Sequence, residues 1–211
     1  MNAAMNHRAG VYLKCKRVLD VALALLGLLV IAVPMLLIAA LVASTSHGGA
    51  LYRQKRLGLN GKEFTIYKFR TMIDGADARF EEFFDEEQMD QFEQSYKIDD
   101  DPRVTKFGRF LRRSSLDELP QIFNVIKGDM SFVGPRPVTD PEISKFGTKS
   151  ETILSVRPGI TGYWAIKGRS NVAFEERVEL EHHYVCNISL WMDAVIFINT
   201  FRVVVQREGA K

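Results

Sequence analysis

The dominant hydrophobic pattern of the chain is one long apolar run near its N-terminus. From Val21 to Ala43 the sequence reads VALALLGLLVIAVPMLLIAALVA, without a charged side chain. A helix needs about 20 apolar residues to cross a bilayer, and a run that is apolar on every side does not suit the surface of a soluble protein. A signal peptide would have a shorter apolar core, and residues 43–50 resemble a cleavage site only weakly. The run therefore predicts a helix embedded in a membrane.

Basic residues flank this run on both sides, and they bear on how the helix enters the membrane. They are Arg8, Lys14, Lys16 and Arg17 before the run and Arg53, Lys55 and Arg56 after it. Positive charge normally stays on the cytoplasmic side, so a straight span would carry one cluster across. Pro34, in the middle of the run, removes a backbone hydrogen bond and can bend a helix, although proline also occurs in ordinary membrane helices. We therefore predict a re-entrant helix, broken at Pro34, rather than a straight span.

An acidic residue, Asp20, directly precedes the apolar run. Asp20 follows Arg17 at a spacing that permits an ion pair between neighbouring helical turns. The residues expected to act at the membrane are accordingly Lys16, Arg17, Asp20 and Pro34.

The remaining patterns predict an α+β fold that is mostly α. Residues 51–69 end in an alternation of apolar and polar side chains after a Gly/Asn turn at Gly58–Gly61, which predicts a small β-hairpin. A basic helix is expected after Pro102, a charged helix over Phe174–Tyr184 and a strongly apolar helix over Ile188–Val205. The apolar helix could belong to the core or lie as an amphipathic helix in the membrane interface.

Other stretches are less regular. Residues 130–137 and 157–171 are punctuated by glycine and proline and are predicted to be loops. Residues 76–95 place phenylalanines among acidic side chains near helical spacing, which favours a solvated amphipathic helix over an acidic partner site. The predicted organisation is a basic, membrane-embedded segment over residues 1–48 and a compact, α-rich cytosolic domain over residues 49–211.

Composition narrows the function classes. The chain has 211 residues and a formal charge of +2 at pH 7, without the basic excess that is typical of nucleic-acid-binding domains. Its cysteines, Cys15 and Cys186, form no C-x-x-C pair, which favours reduced thiols and a cytosolic catalytic part. No nucleic-acid partner is expected.

One short stretch combines cations with adjacent carboxylates. RRSSLDELPQ runs from Arg112 to Gln121, and Ser115–Glu118 fits a capping box, in which serine and glutamate satisfy free N–H groups at a helix start. Pro120 suits the first helical turn, where its missing N–H costs nothing. The stretch therefore predicts a helix start, and it also places the carboxylates of Asp117 and Glu118 near cationic groups.

Arginines supply the clearest indication of substrate chemistry. Those near expected helix starts or in Gly/Pro-rich turns are Arg112, Arg113, Arg136, Arg157 and Arg169. A guanidinium donates two parallel hydrogen bonds to a phosphate, and helix N-termini add partial positive charge. Adjacent carboxylates can hold a divalent metal that bridges to phosphate oxygens, or one of them can attack phosphorus. These features predict a phosphorylated substrate at a membrane surface.

Together the longer motifs resemble one known family. They are KRVLD before the apolar run, YKFRTM, DPRVTKFGRFLRRSSLDELPQIFNVIKGDMSFVGPRP, RPGITGYWAIKGRSN and ISLWMDAVIF. In this order they are similar to the bacterial sugar transferases, the monotopic phosphoglycosyl transferases, over about Leu13 to Arg207. The series is specific, whereas DELPQ alone would be a weak match.

The resemblance implies a concrete reaction. Such enzymes move a sugar 1-phosphate from a UDP-sugar to undecaprenyl phosphate, release UMP and so initiate glycan assembly. The resemblance makes Asp117 the nucleophile that forms a phosphosugar–enzyme intermediate, and Asp117 and Glu118 the expected ligands of Mg²⁺. Candidate phosphate and uridine contacts, by motif position, are Arg136, Arg112, Lys68, Arg70, Arg157 and Arg169.

The resemblance also implies a location and partners. The catalytic domain is expected on the cytoplasmic face of the bacterial inner membrane, with anionic lipid among its partners, while a homodimer is left open. Many relatives have Ser-Pro at the helix break, whereas this chain has Val33-Pro34. Valine has no hydroxyl that could form a compensating hydrogen bond to the backbone at the bend. The sequence therefore does not fix how sharp that bend is.

Two other function classes compete with the transferase. One is a membrane-anchored hydrolase that uses Asp117 and Glu118 as an acid–base pair, but adjacent helical residues point about 100° apart and flank one bond poorly. The other is a non-catalytic scaffold in which the same motifs only fold the domain. UMP release from a UDP-sugar discriminates the transferase from both.

Overall fold

The computed structural model describes residues 3–46, 48–76, 79–85, 88–89, 98, 101–169 and 172–206. The helices of this part are α1 (Ala3–Thr45), α2 (Phe80–Phe83), α3 (Lys106–Ser114), α4 (Ile122–Lys127), α5 (Asp140–Ser144), α6 (Ser150–Leu154), α7 (Tyr163–Ile166), α8 (Phe174–Cys186) and α9 (Leu190–Gln206). The strands are β1 (Leu51–Leu57), β2 (Glu63–Phe69), β3 (Ser131–Val133) and β4 (Gly159–Thr161). The architecture is α+β with helix predominating, as predicted.

The long helix α1 contains the apolar run. Within the described residues, one helical segment, Gly10–Thr45, is long and apolar enough to cross a membrane, with a mean hydropathy of 3.0 over its most apolar part. Helical structure continues through Pro34, so the predicted interruption of the helix at that residue is wrong, while a bend within a continuous helix stays a prediction. Proline removes one N–H donor, and the flanking leucine, alanine and methionine residues are good helix formers that sustain the helix.

One face of α1 belongs to the core of the protein. Ala24, Met35 and Val42 are buried in a cluster with side chains of the hairpin and of α3 and α4. The opposite face is open, with Leu29 at 80% exposure and Val30 at 77%. Such a large apolar face, unpaired within the described chain, suits a lipid environment rather than water.

Polar contacts fasten the start of the apolar run to the rest of the chain. The Arg17 guanidinium donates to the carbonyl oxygens of Val125 and Ile126, at 2.5 and 2.9 Å. The buried Asp20 carboxylate accepts from the backbone N–H of Phe132 at 3.2 Å. The pair that their spacing permitted is not formed, because each side chain has its own partner on another element.

The predicted hairpin is confirmed. Strands β1 and β2 are antiparallel, from Leu51 opposite Phe69 to Leu57 opposite Glu63. The connecting turn places Asn60 at φ +56°, a left-handed conformation that asparagine tolerates better than most residues. Lys68 lies near the end of β2 and is one of the residues of the site described below. The end of the hairpin therefore lies beside that site.

A second, smaller sheet was not predicted. Strands β3 and β4 pair in parallel and lie within the stretches that were expected to be loops, so those expectations are wrong in part. A Cβ on Gly159 would stand 2.2 Å from the backbone nitrogen of Gly134, so the two backbones approach as closely as glycine allows. The short helix α7 follows β4 within the same stretch.

The later helices agree with the sequence patterns. Helices α3, α8 and α9 occupy the basic, charged and apolar stretches. The last of them contributes to the core through Ile196, which is 1% exposed, and also exposes Trp191 at 78%, while its position in the membrane interface stays a prediction. Much of the amphipathic helix predicted over residues 76–95 falls outside the described residues, and in the described part α2 is a single turn.

Candidate functional site

The acidic pair lies in a short 3₁₀ helix, Leu116–Gln121, that joins α3 to α4. Ser115 precedes it with φ +57° and ψ +17° and ends α3 by donating its backbone N–H to the Arg112 carbonyl at 3.1 Å. This left-handed residue turns the chain sharply between the two helices. The turn directs Asp117 and Glu118 toward the end of the hairpin, where β2 contacts the 3₁₀ helix.

The predicted capping box at this position is wrong. The Ser115 side chain makes no capping hydrogen bond, and its hydroxyl instead accepts from Nη2 of Arg169 at 2.8 Å. Glu118 is likewise occupied elsewhere, since its Oε1 lies 2.7 Å from Lys68 Nζ. The left-handed backbone at Ser115 departs from the extended conformation that a capping serine normally adopts.

Asp117 is a buried carboxyl at 8% exposure. Burial raises its pKa, and so does the neighbouring charge of Glu118, whereas Lys68 and Arg112 act to lower it. Burial prevails, and the pKa of Asp117 rises to about 6. A carboxylate with a raised pKa is a stronger base and a better nucleophile than an ordinary aspartate, provided that it is ionised.

For Glu118 the opposing effects on the pKa balance the other way. Its burial acts to raise the pKa, but Lys68 first, and then Arg136 and Arg169, outweigh that effect and hold the pKa of Glu118 below its usual range. Asp117 and Glu118 therefore titrate apart although they are adjacent. Neighbouring carboxyls with separated pKa values can take different chemical roles.

A large open groove collects most of the predicted site residues. Its lining includes Asp117, Glu118, Lys68, Arg70, Arg112, Arg136 and Arg169. Nε of Arg112 donates to the Thr71 hydroxyl at 2.9 Å, which fixes this guanidinium near Asp117. The side chain of Arg70 binds the carbonyl oxygens of Gly48 and Gly49 at 2.6 and 3.0 Å, so it fastens the segment after α1 to the groove wall.

Arg136 differs from these cations because its guanidinium is uncommitted. Its Nε is buried without an acceptor among the described residues, and its charged end lies 5.4 Å from the centre of the Trp164 ring. Nη1 of Arg169 is also buried without such an acceptor. Buried donors of this kind are costly unless a ligand accepts from them, so these arginines suit an anionic ligand in the groove.

Arg157 does not join the groove. Its Nε donates to the Gly128 carbonyl at 2.8 Å, just after α4. It lies instead beside Lys16, Arg17 and Asp20, around a small cavity at the start of the apolar run. This hydrogen bond joins the segment before β4 to the end of α4. The structure does not bring Arg157 to the other candidate phosphate ligands.

A layer of buried charges behind Arg136 was missed by the sequence reasoning. Glu142 is 2.8 Å from Arg56 and 3.9 Å from Arg177, and Glu181 is 3.9 Å from Arg177. Burial raises the pKa of Glu181 to about 7, against the lowering effect of Arg177 and Arg136. These groups support the loop that carries Arg136, whose neighbour Pro137 accepts from Arg56 through its carbonyl at 3.2 Å.

A sequence signal for part of this layer was present. Thr139 to Glu142 reads T-D-P-E, and Glu142 accepts from the backbone N–H of Thr139 at 2.8 Å in a capping box at the start of α5. The same pattern of threonine, proline and glutamate predicts a helix start. A capping box thus lies here, at Thr139–Glu142, and not at Ser115.

The acidic pair fits Mg²⁺ only in company with a substrate. Among the described residues, no group of three or more His, Cys, Asp or Glu side chains is arranged to hold a metal ion. Magnesium commonly uses one or two carboxylates together with substrate phosphates and water. Glu118 is suited to this role because its pKa is held low and only its Oε1 is engaged by Lys68.

Comparison with known proteins gives a consistent picture. The sequence model of the family described as bacterial sugar transferase matches residues 11–207. The chain is 42% identical over 197 residues to exopolysaccharide production protein ExoY of Sinorhizobium fredii, covering 92% of this chain and 87% of that protein.

Two longer relatives are also similar. The undecaprenyl-phosphate galactose phosphotransferase of Salmonella typhimurium is 39% identical and the UDP-galactose-lipid carrier transferase of Erwinia amylovora is 38% identical, each over 197 residues and 92% of this chain. The chain spans 41% of the length of each of these two proteins. The similarity therefore concerns one part of the longer relatives and nearly all of ExoY.

Proposed function

The chain belongs to the bacterial sugar transferase family, and we propose that it transfers a sugar 1-phosphate from a UDP-sugar to undecaprenyl phosphate. UMP and an undecaprenyl-diphosphate sugar are the products, which makes this an initiating step of exopolysaccharide, O-antigen or other glycoconjugate assembly. The names of the Salmonella and Erwinia relatives support both the lipid acceptor and the nucleotide-sugar donor.

One observation carries the proposal. A single groove holds the buried Asp117, the Lys68-bound Glu118 and the uncommitted Arg136 guanidinium. A nucleophile with a raised pKa beside anion-binding donors is the equipment that phosphoryl transfer needs, because that reaction depends mainly on positioning and on neutralising charge.

In the first step, a carboxylate oxygen of Asp117 attacks the phosphorus that bears the sugar. The new bond from this oxygen to phosphorus forms as the bridging P–O bond to UMP breaks, and the electron pair of that bond leaves with UMP. Arg136 and Arg169 bind the phosphate oxygens, while Lys68 and Arg112 oppose the rise in the pKa of Asp117 and so favour its ionised form.

In the second step, a phosphate oxygen of undecaprenyl phosphate attacks the same phosphorus. The bond between phosphorus and Asp117 breaks, and the carboxylate is regenerated with its electron pair. The covalent intermediate lets a soluble donor and a lipid acceptor use one groove in turn. Asp117 and Glu118 would hold Mg²⁺, which when bound supplies charge neutralisation at the phosphate oxygens.

The contacts of α1 support a helix whose two ends lie on one side of the membrane. Before the apolar run, Lys16 pairs with Asp193 at 2.8 Å and Arg17 binds the carbonyl oxygens of α4. After the run, Gly48 and Gly49 are bound by Arg70. Because both flanks are fastened to the same catalytic part, a re-entrant arrangement on the cytoplasmic face fits better than a span that separates them.

Two other helices extend the surface that would face the membrane. Helix α3 exposes Lys106, Arg109 and Arg113 around Phe110, which is 55% exposed. Helix α9 exposes Trp191 and other apolar side chains. An apolar face rimmed by basic residues suits the interface of an anionic membrane, where the phosphate of the lipid acceptor lies.

UMP release tests the proposal. Purified protein in detergent or nanodiscs, given Mg²⁺ and a panel of UDP-sugars, is expected to release UMP in an amount equal to the enzyme when lipid is absent. Undecaprenyl phosphate should then restore repeated turnover. The proposal is overturned if no UDP-sugar yields UMP with either condition, or if free sugar phosphate accumulates without lipid, as a hydrolase would produce.

A further inference from the structure

The small parallel sheet brings two loops together at the groove. The backbone N–H of Gly134, after β3, donates to the Thr161 carbonyl at 2.9 Å, and that of Gly159, at the start of β4, donates to the Pro135 carbonyl at 2.8 Å. A Cβ on Gly162 would lie 2.2 Å from the Gly134 oxygen. The backbone therefore fixes the loop that carries Arg136 against the segment that leads into α7.

Trp164 lies in α7 itself, directly beside Arg136. The Arg136 guanidinium carbon is 5.4 Å from the centre of the Trp164 ring, and both side chains line the groove of Asp117 and Glu118. This distance is within the range of a cation–π interaction, in which the ring face attracts a positive charge.

The indole N–H and the ring face of Trp164 have different surroundings. Nε1 of Trp164 is buried without an acceptor among the described residues, close to Gly162. A buried donor without a partner is unfavourable. The ring face of the same side chain lies beside the Arg136 guanidinium.

An aromatic partner has a consequence that a carboxylate would not have. Lys68 and Arg56 are both bound to glutamates, at 2.7 and 2.8 Å, and such pairing neutralises the cation and occupies its donors. A ring attracts the guanidinium without accepting its in-plane hydrogen bonds. Nε of Arg136 thus has no acceptor among the described residues and stays available to a ligand.

We propose that Trp164 is a positioning residue that holds the Arg136 guanidinium in the groove, with its donors directed to the diphosphate of the nucleotide sugar. This inference rests on the proposed function and adds a residue to it. Trp164 acts through Arg136, so its loss weakens donor binding while the nucleophile Asp117 is unchanged.

Steady-state kinetics with the UDP-sugar that supports UMP release provide the first test. Trp164→Leu removes the ring face, and KM for the UDP-sugar is expected to rise about tenfold while kcat stays within about twofold. Trp164→Phe keeps a ring face and should restore KM to within about threefold of wild type. A general loss of structure would instead lower kcat through the active fraction and leave KM unchanged.

Fluorescence provides a second test that does not need the leucine variant to fold. The chain has two tryptophans, so Trp191→Phe leaves Trp164 as the sole reporter. Addition of UDP with Mg²⁺ should change its emission in a saturable way, and the further substitution Arg136→Gln should abolish that change. Trp164 emission that does not change at saturating UDP would overturn the inference. An unchanged KM in a folded Trp164→Leu protein would also overturn it.

The two proposals fail in different ways. Absence of UMP release by the wild-type protein from every UDP-sugar would remove the transferase assignment. UDP-dependent emission of Trp164 would still be measurable in that case, because it requires binding and not turnover. Normal UMP release together with normal KM in Trp164→Leu would remove the role of Trp164 alone.

Discussion

Lys68 Nζ lies 2.7 Å from Glu118 Oε1 and joins the end of the hairpin to the 3₁₀ helix that carries the acidic pair. The charge of Lys68 is the largest effect of a neighbouring group that lowers the pKa of Asp117, and it also lowers that of Glu118. One cation on a β-strand therefore acts to lower the pKa of both carboxyls. This relationship explains why a hairpin that contributes no acid of its own belongs to the candidate site.

Lys68→Gln is predicted to impair the reaction through the acidic pair. Without the ammonium group the pKa values of Asp117 and Glu118 both rise, so less of the nucleophile is ionised at a given pH. The rate of UMP release in a single turnover should fall about tenfold or more at pH 6.5, and raising the pH should recover part of the loss. Lys62→Gln, at an exposed position of the same hairpin, is the matched control and should leave the rate unchanged.

The wild-type reaction is predicted to lose rate on acidification through the titration of Asp117. The raised pKa of this group, about 6, means that it is mostly ionised at pH 7.5 and mostly protonated at pH 5. The single-turnover rate should therefore decline below about pH 6, approaching a tenfold loss per pH unit at the acid end. A rate that stays flat from pH 7.5 to pH 5 would contradict the assignment of Asp117 as nucleophile.

Substitutions of Arg136 and of Arg157 are predicted to have different effects on KM, although both residues lie in proline-containing motifs. Arg136→Gln should raise KM for the UDP-sugar about tenfold or more, because Nε of Arg136 has no acceptor among the described residues and is available to the ligand. Arg157→Gln should have a different effect. It removes the contact to the Gly128 carbonyl and should lower the melting temperature by a few degrees at nearly constant KM. Equal KM effects for the two variants would refute this distinction.

The native cysteines offer a test of the topology. Cys15 precedes the apolar run, Cys186 follows it in α8, and both are exposed. A membrane-impermeant maleimide should label both in inverted inner-membrane vesicles and neither in right-side-out vesicles, with Cys15→Ser and Cys186→Ser assigning each signal. Labelling of Cys15 from the outer face only would reject the re-entrant arrangement and indicate a straight span.

The sequence predicted those features whose cause is local. The hairpin follows from alternating side chains around a Gly/Asn turn, and α8 and α9 follow from a charged and a strongly apolar stretch. Asp117 and Glu118 are adjacent in the chain, so their proximity needed no knowledge of the fold. Lys68 and Arg136 were reached by motif resemblance, and the structure places both in the groove with the acidic pair.

The features that sequence reasoning missed depend on contacts between distant segments. Strands β3 and β4 are three residues long and pair across an intervening stretch of the chain, so neither shows a recognisable alternation. Ser115 adopts a left-handed turn in place of the expected cap. Its hydroxyl accepts a hydrogen bond from Arg169, a residue that is distant in the sequence. Arg157 has the residue type of a phosphate ligand, but its partner, the Gly128 carbonyl, gives no signal in the sequence.

The covalent intermediate on Asp117 is the central claim, and intact-protein mass spectrometry measures it most directly. Wild-type protein incubated with Mg²⁺ and its UDP-sugar in the absence of lipid should gain the mass of one sugar phosphate and lose it when undecaprenyl phosphate is added. Asp117→Asn should remain folded, because it removes a charge whose burial is unfavourable, and should show no adduct. An undiminished adduct on the Asp117→Asn protein would show that another residue is the nucleophile.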